Sequence, residues 1–201
     1  MAEQHQWREI GRICLLQVQI APLKVGNHRR VYRPEGALRA VETFNLSEQG
    51  ITAVINGEEV YDMHHVHHPA SHNRQSNPVS IGFTSHYTDM RARFGAHMGD
   101  GVAGENIIVE TEGILTEEDL SRGVAVRNTR GELVTIQHLY AIPPCKPFAG
   151  FCLQLADTDQ HQARVKTALQ YLHTGKRGFC GEPSTPIPHK ITINDTLLVA
   201  L

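Results

Sequence analysis

The sequence predicts a mainly β fold: a closed or nearly closed barrel with a few peripheral helices. Short apolar or β-branched runs recur between turn-forming residues along the whole chain, and only one long stretch, from about Asp159 to His173, keeps helical spacing. With 40% hydrophobic and 20% charged residues the chain is too apolar for disorder, and 201 residues can bury a sizeable core without disulfides.

The elements follow in order. Ile13 to Ile20 and Ala37 to Leu46 read as strands around the basic stretch His28 to Gly36. Ile51 to Ile55 closes on Asn56-Gly57, where both residues tolerate positive φ, so Glu59 to Tyr61 is expected to return as a hairpin partner. Pro78 to Phe83 is an apolar run, and Thr84-Ser85 can cap a helix reaching about Phe94. A glycine-rich connector, Gly95 to Gly104, leads into a strand over Asn106 to Glu110. Thr116 to Leu120 reads as one capped helical turn with Asp119 in the capping-box position. Gly123 to Arg127 and Glu132 to Ile142 are strands joined through Asn128 to Gly131. The Asp159 to His173 helix places Val165, Ala168, Leu169 and Leu172 on one face, and Gly175 stops it. Gly178 to Gly181, a proline-bearing loop and Lys190 to Ala200 come last.

Charge and cysteine content exclude several classes of function. The 19 basic and 21 acidic residues are spread along the chain, so no overall field attracts nucleic acid or an anionic membrane. The N-terminal residues lack a basic region followed by an apolar stretch, and no window approaches the roughly 18 apolar residues of a membrane span, so a cytoplasmic location is expected. Cys14, Cys145, Cys152 and Cys180 form no CxxC pair and are expected to be free thiols. Five histidines crowd between His64 and His72.

Three separated segments carry a family resemblance. Gly101-Val102-Ala103-Gly104-Glu105-Asn106, followed by an apolar strand, resembles a GxxGEN motif. Pro143-Pro144-Cys145-Lys146-Pro147, about 40 residues later, resembles a single-cysteine segment at a strand end. Gly175-Lys176-Arg177-Gly178-Phe179 and Ile191 to Val199 are similar to a GxRG strand and a closing hairpin. Together they resemble the MOSC domain, the C-terminal module of molybdenum cofactor sulfurases, over roughly residues 11 to 200 of a single domain spanning 1–201. Asn194 stands where that family often has Gly, and the early Gly-Asp of many members is missing near Gly50.

The resemblance implies a MOSC-type, pyruvate-kinase-barrel-like fold and a protein that handles molybdenum cofactor, a phosphate-bearing pterin dithiolene. Cys145 is implied as the molybdenum ligand and catalytic residue, and a thiolate is the soft donor such a metal accepts. Asn106, Gly104 and Glu105 are implied cofactor contacts, with Thr84 and Ser85 at a helix start and Arg74 and Arg177 as phosphate partners. The residues alone leave two readings open: Cys145 as a small buried hydrophobe, and Asn106 as a loop cap. Cys14, Cys152 and Cys180 are expected to be structural.

The function implied is that of the standalone bacterial MOSC proteins, reduction of N-hydroxylated small molecules. Electrons would come from a separate flavin or iron–sulfur protein, because the chain has no GxGxxG after a strand and no cysteine set for a cluster. A sulfur or cofactor carrier using Cys145, and a metallohydrolase built on the His64 to His72 cluster, are the alternatives. Asn106 and Cys145 are expected to open onto one cavity.

Overall fold

In the computed structural model, which describes residues 6–71 and 78–201, the chain starts with a long strand, β1 (Trp7–Gln19), and a short hairpin of β2 (Lys24–Val25) and β3 (Val31–Tyr32). β4 (Leu38–Val41), β5 (Thr43–Ser47), β6 (Gly50–Ile55) and β7 (Glu58–Tyr61) follow. β8 (Val79–Phe83) runs directly into helix α1 (Thr84–Phe94), and β9 (Ile107–Val109) precedes the one-turn helix α2 (Glu117–Leu120). β10 (Val124–Arg127) and β11 (Leu133–Ala141) lead to helices α3 (Lys146–Cys152) and α4 (Gln162–Leu172). β12 (Phe179–Pro183), β13 (His189–Thr192) and β14 (Thr196–Ala200) come last.

Seven strands close into a barrel in the order β14-β10-β11-β12-β8-β9-β1, because β1 also pairs with β14. Closure removes the exposed edges an open sheet would carry. Among the described residues every strand pairing is antiparallel except β8 with β9, where Ile81 faces Ile107. A parallel pair needs a long crossover, and α1 with the glycine-rich connector supplies it. β4 extends the sheet from β1, and β13-β5-β6-β7 form a second sheet.

One apolar core fills the barrel and its contact with the second sheet, with Ile13, Leu16, Ile81, Phe83, Ile107, Phe179 and Leu197 at no exposure. A second core lies between the barrel and the helices and includes Tyr87, Met90, Phe148, Val165 and Leu172. Full burial of a Val, Leu or Phe side chain contributes about 1.5–3 kcal/mol, so the expected face of α4 explains why it docks there. No helix among the described residues is long and apolar enough to cross a membrane.

The mainly β barrel is as expected, and the local differences have physical causes. The expected strand over Ala37 to Leu46 is two strands, β4 and β5, which belong to different sheets and part at Glu42. The Asp159 to His173 helix opens with a 3-10 turn at Asp159–His161 before α4, and α1 equals α4 in length. Helix α3 was not expected. It starts directly after Cys145, with Pro147 in its first turn, where the missing N–H costs nothing. The Asn56-Gly57 turn (φ 54° and 85°) and the Thr116/Asp119 capping box form as the sequence suggests.

Candidate functional site

A cavity of about 940 Å3 opens where the β2–β3 hairpin, the segment after β7 and the ends of β11 and β12 meet. Its lining includes Lys24, Arg30 and Arg177, together with His64, and no Asp or Glu among the described residues. Three cations and no carboxylate in this lining give the cavity wall a positive charge. Its size is that of an ordinary small-molecule or cofactor site. Gly104 also lines it: with φ of 100°, and with Leu23 Cδ1 2.5 Å from where a Cβ would lie, this position accepts only glycine without strain.

Arg177 links this cavity to Cys145. It is 8% exposed, and its Nη1 donates to Pro143 O at 3.0 Å and lies 3.7 Å from Cys145 Sγ. Its guanidinium carbon sits 5.0 Å from the Phe148 ring centroid, a cation–π contact. Its Nε is buried without a partner. Cys145 is the N-cap residue of α3: its carbonyl accepts from Ala149 N at 2.9 Å, while its side chain makes no cap bond. The thiol is half-buried and lies beside the cavity wall at Pro143 and Arg177 rather than within it.

Asn106 stands one layer behind the wall. It is 2% exposed; its Oδ1 accepts from Ser80 N at 3.1 Å and Ser80 Oγ at 2.8 Å, and its Nδ2 donates to Asp62 Oδ2 at 2.9 Å and Gln17 O at 3.3 Å. The expectation that Asn106 and Cys145 open together onto one cavity is therefore corrected. The cavity meets Ser80 and Gly104, and Asn106 braces them from inside. Asp62 completes the brace, accepting from Gln19 N at 2.7 Å and from His64 N at 2.9 Å while fully buried.

Glu105 is buried as well. Its Oε2 accepts from Tyr87 Oη at 2.6 Å, and Tyr87 Oη accepts from Ala103 N at 3.0 Å. Glu105 Oε1 has no partner. Burial pushes this carboxyl up to about 7, opposed by the Tyr87 hydrogen bond and the Arg177 charge.

Thr84 and Ser85 do not reach the cavity. The N-cap of α1 is Phe83, which makes no side-chain cap, and the two hydroxyls instead hold the 111–113 turn through Thr111 and Gly113. Arg74 and His72 lie outside the described residues. Within the histidine cluster His64 bonds Asp62 and His65 stacks on Tyr61 at 4.5 Å, and no three metal-binding side chains converge among the described residues. Cys14 is exposed on β1 rather than in the core. Cys180, expected to be structural, is a wall residue of the cavity; burial pushes its thiol up to about 12, which keeps it a poor nucleophile.

Sequence reasoning missed Lys24, Arg30 and Asp62. The first two sit in or beside the basic stretch before Arg33, whose charge was a usable signal; Asp62 is a single acid before the histidines, and nothing in its neighbours marks it.

The barrel and its surrounding helices have counterparts among solved structures. The YuaD protein from Bacillus subtilis superposes with a TM-score of 0.57 at 14% identity, covering 96% of this chain and 98% of that one. YiiM from Geobacillus stearothermophilus superposes with a TM-score of 0.50 at 16% identity, covering 98% and 75%. At these identities the likeness is one of fold. No family model matches the chain, and no curated protein matches it in sequence.

Proposed function

We propose that the cavity binds molybdenum cofactor, that Cys145 ligates the molybdenum, and that the protein reduces N-hydroxylated small molecules. The observation that carries this reading is a cavity lined by cations and, among the described residues, by no carboxylate, whose Arg177 reaches the Cys145 sulfur at 3.7 Å. The residues fit the group. Lys24, Arg30 and Arg177 would hold its phosphate, and the unpartnered Arg177 Nε–H is a buried donor awaiting an acceptor. Gly104 lets backbone approach a ligand closely, and Cys145 offers a soft thiolate donor.

When bound, the cofactor supplies a two-electron redox centre. Reducing an N-hydroxy group to the amine takes two electrons and two protons and releases water. The electrons would come from a separate flavin or iron–sulfur protein, and solvent entering the cavity would supply the protons. The chain's own work is to anchor the phosphate, hold the thiol in place at the N-cap of α3, and shield Arg177 from bulk water so that its charge acts at close range.

Metal analysis of protein purified from a cofactor-competent host tests this. Molybdenum near one per chain, lost in Cys145→Ser together with reduction of a hydroxylamino substrate, is the expected result, because a neutral hydroxyl replaces a soft anionic donor poorly. Cys152→Ser should keep the activity, since that thiol is buried at the C-terminal end of α3 and burial pushes it up to about 12. Equal metal content in wild type and Cys145→Ser would remove Cys145 from the mechanism. Molybdenum without reductase activity would instead favour a cofactor carrier.

A further inference from the structure

Among the described residues His64 is the one imidazole in the cavity lining. Its side chain is 38% exposed, while the carboxylate behind it, Asp62, is fully buried. Asp62 receives four N–H groups. Its Oδ1 accepts from His64 Nδ1 and from the His64 backbone N, each at 2.9 Å, and its Oδ2 accepts from Gln19 N at 2.7 Å and Asn106 Nδ2 at 2.9 Å. With every other partner a donor, the carboxylate acts as acceptor throughout, so His64 Nδ1 carries the ring hydrogen. The neighbouring histidines are held the other way round. His65 Nδ1 accepts from His67 N and His68 Nδ1 from Ala70 N, each at 3.1 Å, which puts their hydrogens on Nε2. Of these three rings, only that of His64 has its Nε2 left to take up a proton and hand it on. The turn beneath it is fastened at both sides: Met63 N donates to Gln19 O at 2.8 Å and His65 N to Asp62 O at 2.9 Å.

We propose that Asp62 and His64 are a proton-delivering pair: the buried carboxylate fixes the ring's tautomer and orientation, and His64 Nε2 gives a proton to the hydroxyl oxygen of an N-hydroxylated substrate held in the cavity. The inference rests on the reductase reading given above. Two electrons from the separate flavin or iron–sulfur protein break the N–O bond. The oxygen takes the His64 proton and leaves as water, the nitrogen takes its proton from solvent, and solvent then reprotonates Nε2. Imidazole suits this step because it gives and takes protons near neutral pH. Cys180, in the same wall, does not: burial pushes its thiol up to about 12, far from the range in which a proton donor works best. Asp62 touches no substrate and acts as a positioning residue, in the way a buried carboxylate orients a histidine base elsewhere.

The test is steady-state reduction of a hydroxylamino substrate by molybdenum-loaded protein, with metal content measured on each variant. His64→Gln should lower kcat about a hundredfold at wild-type molybdenum content. In His64→Ala, added imidazole should restore part of the rate, a response that a packing defect does not give. Nitrogen-15 spectra of labelled wild type at a pH above about 9, with His64→Gln identifying the signal, should show the His64 hydrogen on Nδ1. The ring is partly exposed, so both His64 variants are expected to fold; urea unfolding checks this.

Four results would overturn the proposal while leaving the reductase reading in place. They are a wild-type kcat in His64→Gln, a loss in His64→Ala that imidazole does not relieve, a His64 hydrogen found on Nε2, and loss of molybdenum from His64→Gln, which would make the ring a cofactor contact. Wild-type protein that holds no molybdenum and reduces nothing overturns the reductase reading and this step with it. That failure is visible before any variant is made, so the two are told apart.

Discussion

Replacing Glu105 by Gln should change the pH dependence of stability between pH 4.5 and 7, and the sign follows from burial. Desolvation raises the Glu105 carboxyl from 4.5 to about 7, so within that window the native chain keeps a proton that the unfolded chain has released. Stability from this group is therefore lost as pH rises through the window. At about 1.4 kcal/mol per pKa unit, ionising Glu105 in place costs ~3 kcal/mol. His86 acts the other way. Burial first, and the Lys176 charge second, lower it from 6.5 to about 4, so stability rises with pH between those values by ~3 kcal/mol. His65, also lowered by burial, adds a rise of the same sign. In the wild type these slopes oppose each other where they overlap. In Glu105→Gln the falling component is gone, so the variant should gain ~3 kcal/mol relative to wild type between pH 4.5 and 7. Urea unfolding of both proteins at half-unit pH steps measures the difference directly. Asp89, Asp119 and Asp157 are all held below 3.8 by their hydrogen bonds and stay out of the window. Parallel profiles, agreeing in shape within about 0.5 kcal/mol, would refute the account of Glu105 as a buried carboxyl that stays protonated into the neutral range.

Other perturbations probe the same region. Asp62→Ala should cost roughly 3–5 kcal/mol in urea unfolding, because Asn106 Nδ2 and Gln19 N lose their shared acceptor inside the protein; a loss under 1 kcal/mol would mean the brace is not structural. Gly104→Ala should destabilise by about 1–3 kcal/mol through its positive φ and the contact with Leu23, with Gly113→Ala, which meets nothing within 4 Å, as the mild comparison. Lys24→Ala with Arg30→Ala should weaken binding of inorganic pyrophosphate by tenfold or more and flatten its salt dependence, read by calorimetry at two ionic strengths; unchanged affinity would place anion binding elsewhere.

Much of the barrel was legible because its signals are local. Ile13 to Gln19, Ile51 to Tyr61 and Val124 to Ala141 alternate or punctuate as strands do, and the Thr116 capping box is written in four consecutive positions. The split at Glu42 was not legible, since it depends on which sheet each half joins. Cys145 and Arg177 were singled out from motifs, and the fold places them in contact. Asn106 and Glu105 were singled out too, but their burial is a tertiary fact: a GEN run after glycines reads equally well as a ligand-facing loop or as the inner side of a wall. Asn194, where glycine is common in the family resembled, takes φ of 76°, a conformation that asparagine tolerates.

The closed barrel alone cannot make the cavity, because its interior is filled by side chains. The space arises from what is added outside. The β2–β3 hairpin brings Lys24 and Arg30 over the end of the barrel, and two contacts fasten it to the segment that carries Cys145. Tyr32 packs its ring 5.0 Å from Phe148 and 5.4 Å from Phe151 of α3, and Arg29 pairs with Asp157 and Asp159 just beyond. Phe148 in turn lies under the Arg177 guanidinium. One buried aromatic ring therefore touches both the hairpin and the arginine beside the thiol, and through them the cations of the hairpin and the sulfur of Cys145 share a support. Exposed pairs such as Arg29 with Asp159 contribute little on their own, so the aromatic contact is the stronger of the two fastenings. Removing the Phe148 ring would accordingly loosen both ends of the cavity at once, whereas removing Arg29 would loosen only the hairpin.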